Sequence, residues 1–267
     1  MLVILGQGYS GAVLAKAARA AGLAVVGVRR TATADALAFD DPATMKAIAT
    51  ATHILSSVPP DTVGGADMVL ARFGDALAQS GAWLGYLSST GVYGDTGGAF
   101  VDEASPVGAG RRSARTAAEL AWQGKGATVF RLPGIYGPGR SALDQVRLGS
   151  ARRIDRPGHR FNRIHVDDIA GAVLTAMQAR AGGIFNVVDD LPAEPRAVTE
   201  AACGLLGAPL PPLEPLEDAA LSPVARGFWS ERRCVAGGRL ARVLGYRLRH
   251  PDYKAGLRAI LQTETGR

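Results

Sequence analysis

Leu2-Val3-Ile4-Leu5-Gly6-Gln7-Gly8-Tyr9-Ser10-Gly11 is the stretch that decides the fold. Its four leading apolar residues read as a short strand buried on both faces, the pattern of a parallel sheet. Ala12, Val13, Ala15, Ala17, Ala18 and Ala20 then favour helix until Gly22 stops it, and Ala24 to Val28 read as a second strand. The glycines therefore fall on a strand-to-helix turn whose free N–H groups can hold a pyrophosphate. Gly6 permits the tight turn, Gly8 lets the backbone approach a phosphate, and Gly11 lets the helix pack closely on the strand; Gln7, Tyr9 and Ser10 lie in the same turn.

Arg29-Arg30 follow the second strand, where dinucleotide sites that prefer NAD carry an acid for the ribose 2′-hydroxyl. Two guanidinium groups there suit a 2′-phosphate instead, so the expected cofactor is NADP, with NAD as the alternative.

The 267 residues suffice for one sizeable α/β subunit but not for two large independent domains. No run of about 20 apolar residues and no basic, cleavable leader appears, which points to a cytoplasmic protein with no membrane partner. Cys203 and Cys234 fit no metal spacing and are expected as buried small hydrophobes. His53, His159, His165 and His250 are scattered, so no metal is expected; His165, followed by Asp167-Asp168, reads as a helix N-cap. The net charge of +6 comes from dispersed arginines with interleaved acids, which is not a nucleic-acid footprint. Separate spots at Arg29-Arg30, Arg111-Arg112-Arg115, Arg152-Arg153-Arg156 and Arg232-Arg233 suit an anionic cofactor and an anionic small-molecule substrate.

Alternation continues through strand Leu37 to Phe39, helix Pro42 to Thr50, strand Thr52 to Val58, helix Gly65 to Gln79, strand Ala82 to Leu87, helix Arg111 to Gln123 and strand Ala127 to Arg131. This is a Rossmann-like, doubly wound parallel sheet in an α/β protein. Beyond Gly134 the pattern weakens, with a helix at Val166 to Ala179, a strand at Gly183 to Val187 and two short helices around Pro251. A single subunit is expected, with a Rossmann core over about 1–134 and 165–189 and a smaller substrate lobe over about 135–164 and 190–267.

Three further motifs make a family resemblance specific: Leu87-Ser88-Ser89-Thr90-Gly91-Val92-Tyr93-Gly94, Arg131-Leu132-Pro133-Gly134-Ile135-Tyr136-Gly137-Pro138-Gly139 and Arg163-Ile164-His165-Val166-Asp167-Asp168-Ile169-Ala170. The chain resembles, over nearly its whole length, an extended short-chain dehydrogenase/reductase of the NAD-dependent epimerase/dehydratase family. Trp229 to Val235 is similar to a small atypical branch of it. The resemblance implies that Ser89 is the catalytic serine, its hydroxyl bonding a substrate oxygen. It also places Ser57, Val58, Pro59 and Ser88 beside the cofactor, Asp40 at the adenine, and Pro133, Gly134 and Ile135 at the nicotinamide.

The family's helix normally carries a tyrosine, a lysine four residues later and a glutamate four after that; here the matching positions are Arg111, Arg115 and Glu119. Arginine stays protonated and cannot exchange the proton that accompanies hydride transfer. Arg115 would keep the ribose contact, Arg111 would bind a substrate carboxylate or phosphate from the same helix face, and a crevice tyrosine such as Tyr93, or water, would move the proton. Two functions follow: NADP-dependent oxidoreductase, epimerase or dehydratase chemistry on a small anionic or sugar-like compound, or an NADP-binding sensor or regulator without turnover. The family often pairs subunits through two of these helices, so a monomer or a homodimer is expected.

Overall fold

A computed structural model describes residues 1–61 and 65–266, with residues 223–225 described in backbone only. The elements run β1 (Leu2–Leu5), α1 (Tyr9–Ala20), β2 (Val25–Arg29), β3 (Ala36–Ala38), α2 (Pro42–Thr50), β4 (His53–Ser56), α3 (Met68–Gln79) and β5 (Trp83–Ser89). A 3-10 turn (Thr90–Tyr93), β6 (Phe100–Val101), α4 (Ser113–Gly124), β7 (Thr128–Leu132), β8 (Gly134–Tyr136), α5 (Ala142–Arg147), β9 (Arg153–Asp155) and β10 (Arg163–His165) follow. The rest comprises α6 (Val166–Gln178), β11 (Ile184–Asn186), α7 (Pro195–Leu206), β12 (Leu213–Pro215), α8 (Pro223–Phe228), β13 (Cys234–Val235), α9 (Gly238–Leu244) and α10 (Tyr253–Thr265).

Seven parallel strands form the central sheet in the order β11-β7-β5-β4-β1-β2-β3. The winding reverses between β1 and β4, and ligands of such sheets bind at that switch point, off the carboxyl ends of the strands. Why β1 is apolar throughout is visible in its packing. Leu2 and Ile4 meet Leu14 and Ala18 of α1 and Ile169 and Val173 of α6 on one face. Val3 and Leu5 meet Ile48 of α2, Phe73 and Leu77 of α3 and Trp122 of α4 on the other. All four β1 side chains are fully buried, each stabilising the fold by about 1.5–3 kcal/mol.

A further apolar cluster lies apart from the sheet, joining Tyr136 of β8, Leu143 of α5, Val198 and Ala202 of α7, and Tyr253, Leu257 and Ile260 of α10. Three two-stranded pairs accompany it: β8 with β10, β9 with β12 and β6 with β13, all parallel. The last carries Cys234 back to Phe100 and so returns the distal chain to the crevice edge. Cys203 and Cys234 are free and buried, as expected of small hydrophobes. Among the described residues no helix is long and apolar enough to cross a membrane.

The expected boundaries hold to within two residues at most ends. The α3 helix starts three residues late, at Met68 rather than Gly65, and the two-residue shift that matters for the site is in α4, which starts at Ser113 rather than Arg111. Arg111 precedes it, and Arg112 takes the N-cap position with φ −102° and ψ 47°.

Candidate active site

The carboxyl ends of β1, β2, β4, β5 and β7 open on one crevice of about 1140 Å³. Pockets for drug-sized ligands span about 300–1,000 Å³, so there is room for an extended dinucleotide and a small second ligand.

At one end lies the glycine turn. Gly6 takes φ +89°, and a Cβ there would lie 2.8 Å from Cγ2 of Val58, so any side chain would collide with the end of β4. Gly8 is the N-cap of α1 and makes no side-chain cap; with no acid in the first turn, the leading N–H groups remain for an anion. A Cβ on Gly8 would meet nothing nearer than the Gly6 carbonyl oxygen at 3.9 Å, so the residue faces open crevice. Gly11 does not line the crevice; its added Cβ would sit 3.2 Å from both Gly6 O and Ile4 Cγ2, which keeps α1 against β1. The Ser57 hydroxyl donates to the Gly6 carbonyl at 2.5 Å and ties the end of β4 to the turn.

Gln7, Tyr9, Ser10, Arg29, Arg30, Asp40, Val58 and Pro59 line the same end. Neither Arg29 nor Arg30 forms an ion pair among the described residues. A nearby acid, Asp35, is absent from the lining, because its carboxylate accepts from Gln7 Nε2 at 2.9 Å and from Thr33 Oγ1 at 2.8 Å. The Thr33 hydrogen bond is the foremost reason that its carboxyl lies below the usual range, with a lesser contribution from the charge of Arg29. Asp40 is exposed and pairs with Arg72 Nε at 3.2 Å.

The other end is built on the strand ends of β5 and β7. Ser89 caps the 3-10 turn: the Gly91 N–H donates to its Oγ at 3.1 Å, which leaves the hydroxyl proton for a ligand. Ser88, 5% exposed, donates to buried Glu119 at 2.5 Å. Pro133, Gly134 and Ile135 form the adjoining wall.

The two arginines assigned to the family's helix positions do not share a helix face. Arg111 donates its backbone N–H to Glu231 Oε1 at 3.0 Å, and its Nε lies 3.4 Å from that oxygen, which draws it out of the start of α4. Arg115 turns to the sheet, donating from Nη1 to the Tyr86 hydroxyl at 3.0 Å and to the Leu87 carbonyl at 3.4 Å. The residue beside Ser89 is Arg112. A Cβ on Gly91 would lie 2.5 Å from Arg112 Cδ, 2.8 Å from its Nε and 3.3 Å from Ser89 Oγ, so Arg112 lies across Gly91 next to the serine. Its guanidinium makes no hydrogen bond or ion pair with a carboxylate among the described residues. Although Arg112 is exposed, partial burial, then Arg115 and Arg111, lower its pKa, so an anion there would offset the mutual repulsion of these guanidinium groups.

Glu231, 4% exposed, holds this cluster together. Besides Arg111 it accepts from Nη1 and Nη2 of Arg233 at 2.9 and 3.0 Å, and Arg233 also donates to the Gly94 carbonyl. Arg233, Phe161, Asn162 and Phe228 complete the crevice wall; Arg233 lies in the Trp229 to Val235 stretch singled out in the sequence, whereas neither period nor motif marks Phe161, Asn162 or Phe228 there.

Tyr93 is corrected outright. It is 3% exposed and does not line the crevice. Its hydroxyl donates to Asn186 Oδ1 at 2.8 Å and accepts from Arg131 Nη1 at 2.8 Å, and burial raises its pKa above the ordinary tyrosine value. It belongs to a buried network in which Glu119 accepts from Nε and Nη2 of Arg131 at 3.0 and 2.7 Å.

The histidines are also less scattered than their spacing suggests. His165 caps α6 by accepting from the Asp167 N–H at 3.2 Å, as expected, but its ring centroid lies 4.0 Å from that of His250. Asp167 Oδ2 is 3.7 Å from His165 Nδ1 and 4.0 Å from His250 Nε2. The three side chains thus bring potential ligand atoms within 4.8 Å of one another, a proximity their sequence spacing does not reveal.

No protein-family model matches the chain. A functionally unknown conserved protein from Silicibacter pomeroyi has a solved structure that aligns over 100% of this chain and 99% of its own, with a TM-score of 0.87 and 38% identity. Human epimerase family protein SDR39U1, solved with NADPH, aligns over 98% and 99% of the two chains with a TM-score of 0.76 and 20% identity, and shares the fold. Protein YeeZ of Escherichia coli K12 is 30% identical over 185 residues, 66% of this chain. The 3-diazoavenalumate denitrifying reductase of a Streptomyces species is 31% identical over 140 residues, 48% of this chain. The matches span 62% and 45% of the lengths of those two curated relatives. The chain's Rossmann-like fold is that of the extended short-chain dehydrogenase/reductases of the NAD-dependent epimerase/dehydratase type: a putative NAD-dependent epimerase/dehydratase from Methylobacillus flagellatus aligns over 99% of this chain and 98% of its own with a TM-score of 0.76 and 26% identity.

Proposed function

We propose that this chain is an NADP(H)-dependent oxidoreductase-type enzyme for a small carbonyl or hydroxyl compound. The observation that carries the reading is the continuity of one crevice from the glycine turn and Arg29-Arg30 to Ser89 and Arg112. The turn and the α1 N-terminus would hold the pyrophosphate, Arg29 and Arg30 the 2′-phosphate, and Pro133 to Ile135 the nicotinamide, which supplies or accepts a hydride when bound.

Around that cofactor the chain's own groups have distinct tasks. The Ser89 hydroxyl donates to the substrate oxygen, and the Arg112 guanidinium beside it stabilises negative charge on that oxygen or an adjoining acid group. Arg115, anchored on Tyr86, shapes the floor at the ribose. Tyr93 is tied up in its buried network, so the proton comes from water through Ser89. The β8–β10 and β9–β12 pairs and the α5, α7 and α10 cluster form the substrate lobe.

A second reading rests on the same substitution: with arginines where a tyrosine and a lysine normally act, the chain holds NADP(H) as a sensor without turnover. Titration of NADPH and NADH into the wild type, Arg29→Ala and Arg30→Ala tests the cofactor assignment. NADPH preference should fall at least tenfold in one or both variants, and equal affinities in all three would remove it. Loss of NADPH absorbance with a panel of carbonyl compounds, abolished in Ser89→Ala, separates an enzyme from a sensor.

A further inference from the structure

We propose that the substrate end of the crevice takes a planar aromatic carboxylate, an inference that rests on the oxidoreductase reading of that crevice. Part of the crevice wall is aromatic. The rings of Phe161 and Phe228 lie 4.2 Å apart between centroids and 30° from parallel, and both line the crevice. Phe161 is nearly covered, whereas Phe228 keeps 44% of its surface bare. The wall is braced from behind: His159 stacks on Trp229 at 5.1 Å and meets the Phe161 ring edge-on at 4.5 Å. A ligand ring laid against Phe228 would extend this stack in the offset geometry that aromatic pairs favour.

The cations adjoin that wall directly. A Cβ on Gly227, the neighbour of Phe228, would lie 2.5 Å from Nη1 of Arg111. Arg111 and Arg233 already share Glu231, and Arg112, against Gly91 and Ser89, has no carboxylate acceptor among the described residues. Three guanidinium groups therefore face one carboxylate, and the free one is a planar fork suited to a second carboxylate. A neutral substrate would leave Arg112 without an acidic partner, and a polyol would leave the Phe228 face without an apolar partner. An aromatic acid satisfies both, its ring on Phe228 and its carboxylate on Arg112 beside the serine.

The test is equilibrium binding, by calorimetry, of 4-hydroxycinnamate, 4-hydroxycinnamamide, cyclohexanecarboxylate and UDP-glucose to the full chain, with and without saturating NADPH. The aromatic acid should bind at least tenfold more tightly than its amide and at least threefold more tightly than the saturated acid. Arg112→Gln should weaken it at least tenfold and Phe228→Leu at least threefold, with NADPH affinity unchanged in both and Arg112→Lys partly restoring the first loss. Amide or saturated acid binding as well as the aromatic acid, UDP-glucose binding better, no binding of the aromatic acid in either form, or indifference to Arg112→Gln would each overturn the proposal. Absence of NADPH binding with aromatic-acid binding intact would strike the cofactor assignment and leave the acid site standing.

Discussion

Glu119 and Arg131 form a bidentate ion pair in the core of the molecule, with Oε1 of the glutamate taking Nε and Nη2 of the arginine at 3.0 and 2.7 Å and neither side chain more than 2% exposed. Removing one partner leaves the other as an uncompensated buried charge. Glu119→Ala should therefore lower unfolding stability by about 3–5 kcal/mol, read from the midpoint and slope of urea denaturation. Glu119→Leu with Arg131→Met should recover much of that loss. A single variant as stable as the wild type would show that solvent reaches the pair.

Gly91 is held bare by Arg112, whose Cδ and Nε would lie 2.5 and 2.8 Å from an added Cβ. The clash is with a flexible side chain at the crevice surface, so Gly91→Ala should fold with a change in thermal midpoint of a few degrees at most. It should swing Arg112 away from Ser89 and reduce turnover, or binding of an anionic second ligand, about tenfold or more. Unimpaired binding in this variant would mean that the guanidinium position beside the serine is immaterial.

Gly8 offers a different separation of fold from ligand. A Cβ there meets only the Gly6 oxygen at 3.9 Å, so Gly8→Val is tolerated by the protein but occupies the space expected for pyrophosphate. NADPH at 100 times its dissociation constant should stabilise the wild type by about 2.7 kcal/mol and the variant hardly at all, measured as a shift in thermal midpoint. Equal shifts would move the phosphates elsewhere.

His159 is fully buried between Phe161 and Trp229, and neither ring nitrogen has a partner among the described residues. Burial, and secondarily Arg156, push its pKa down from 6.5 to about 4. The unfolded chain thus binds the proton more readily, and the stabilisation from a neutral His159 is complete above pH 6.5 and lost as pH falls towards 4. The loss has a slope of at most about 1.4 kcal/mol per pH unit. His159→Phe should flatten the fall in urea midpoint between pH 7 and pH 4.5; parallel curves for the two proteins would exclude the histidine as the titrating group.

The sheet and the cofactor end were legible because each signal there is local and repetitive. Leu2 to Leu5 announce a two-faced buried strand, Gly6, Gly8 and Gly11 a helix start, and Arg29-Arg30 sit at a strand end that the alternation itself locates. The substrate end was legible only in part. Ser89 followed from its motif, but Arg111 and Arg115 were placed by counting along a helix whose first turn is displaced by Glu231, 120 residues away in sequence. No local pattern encodes that pull, and the neighbouring Arg112 occupies the place. Tyr93 failed for a related reason: its motif position is on the crevice loop, yet Asn186 and Arg131 draw its hydroxyl inward. Phe161 and Arg233 lie on irregular segments and Phe228 at the end of the six-residue α8, where the identity of a residue says little about the direction in which it faces.

The pairing of Cys234-Val235 with Phe100-Val101 gives the crevice a divided origin. The glycine turn, the Arg29-Arg30 corner, the serine strand, Arg111 and Arg112 all come from the amino-terminal half, Phe161 from the middle of the chain, and Phe228, Glu231 and Arg233 arrive on a strap from its final fifth. That strap touches the sheet at its rim and contributes little to the two large apolar layers. Exchange of that one surface segment would therefore change the outer ring and the carboxylate that gathers the arginines while the sheet and its glycine turn stay as they are, so one rim of the crevice can vary without refolding the centre.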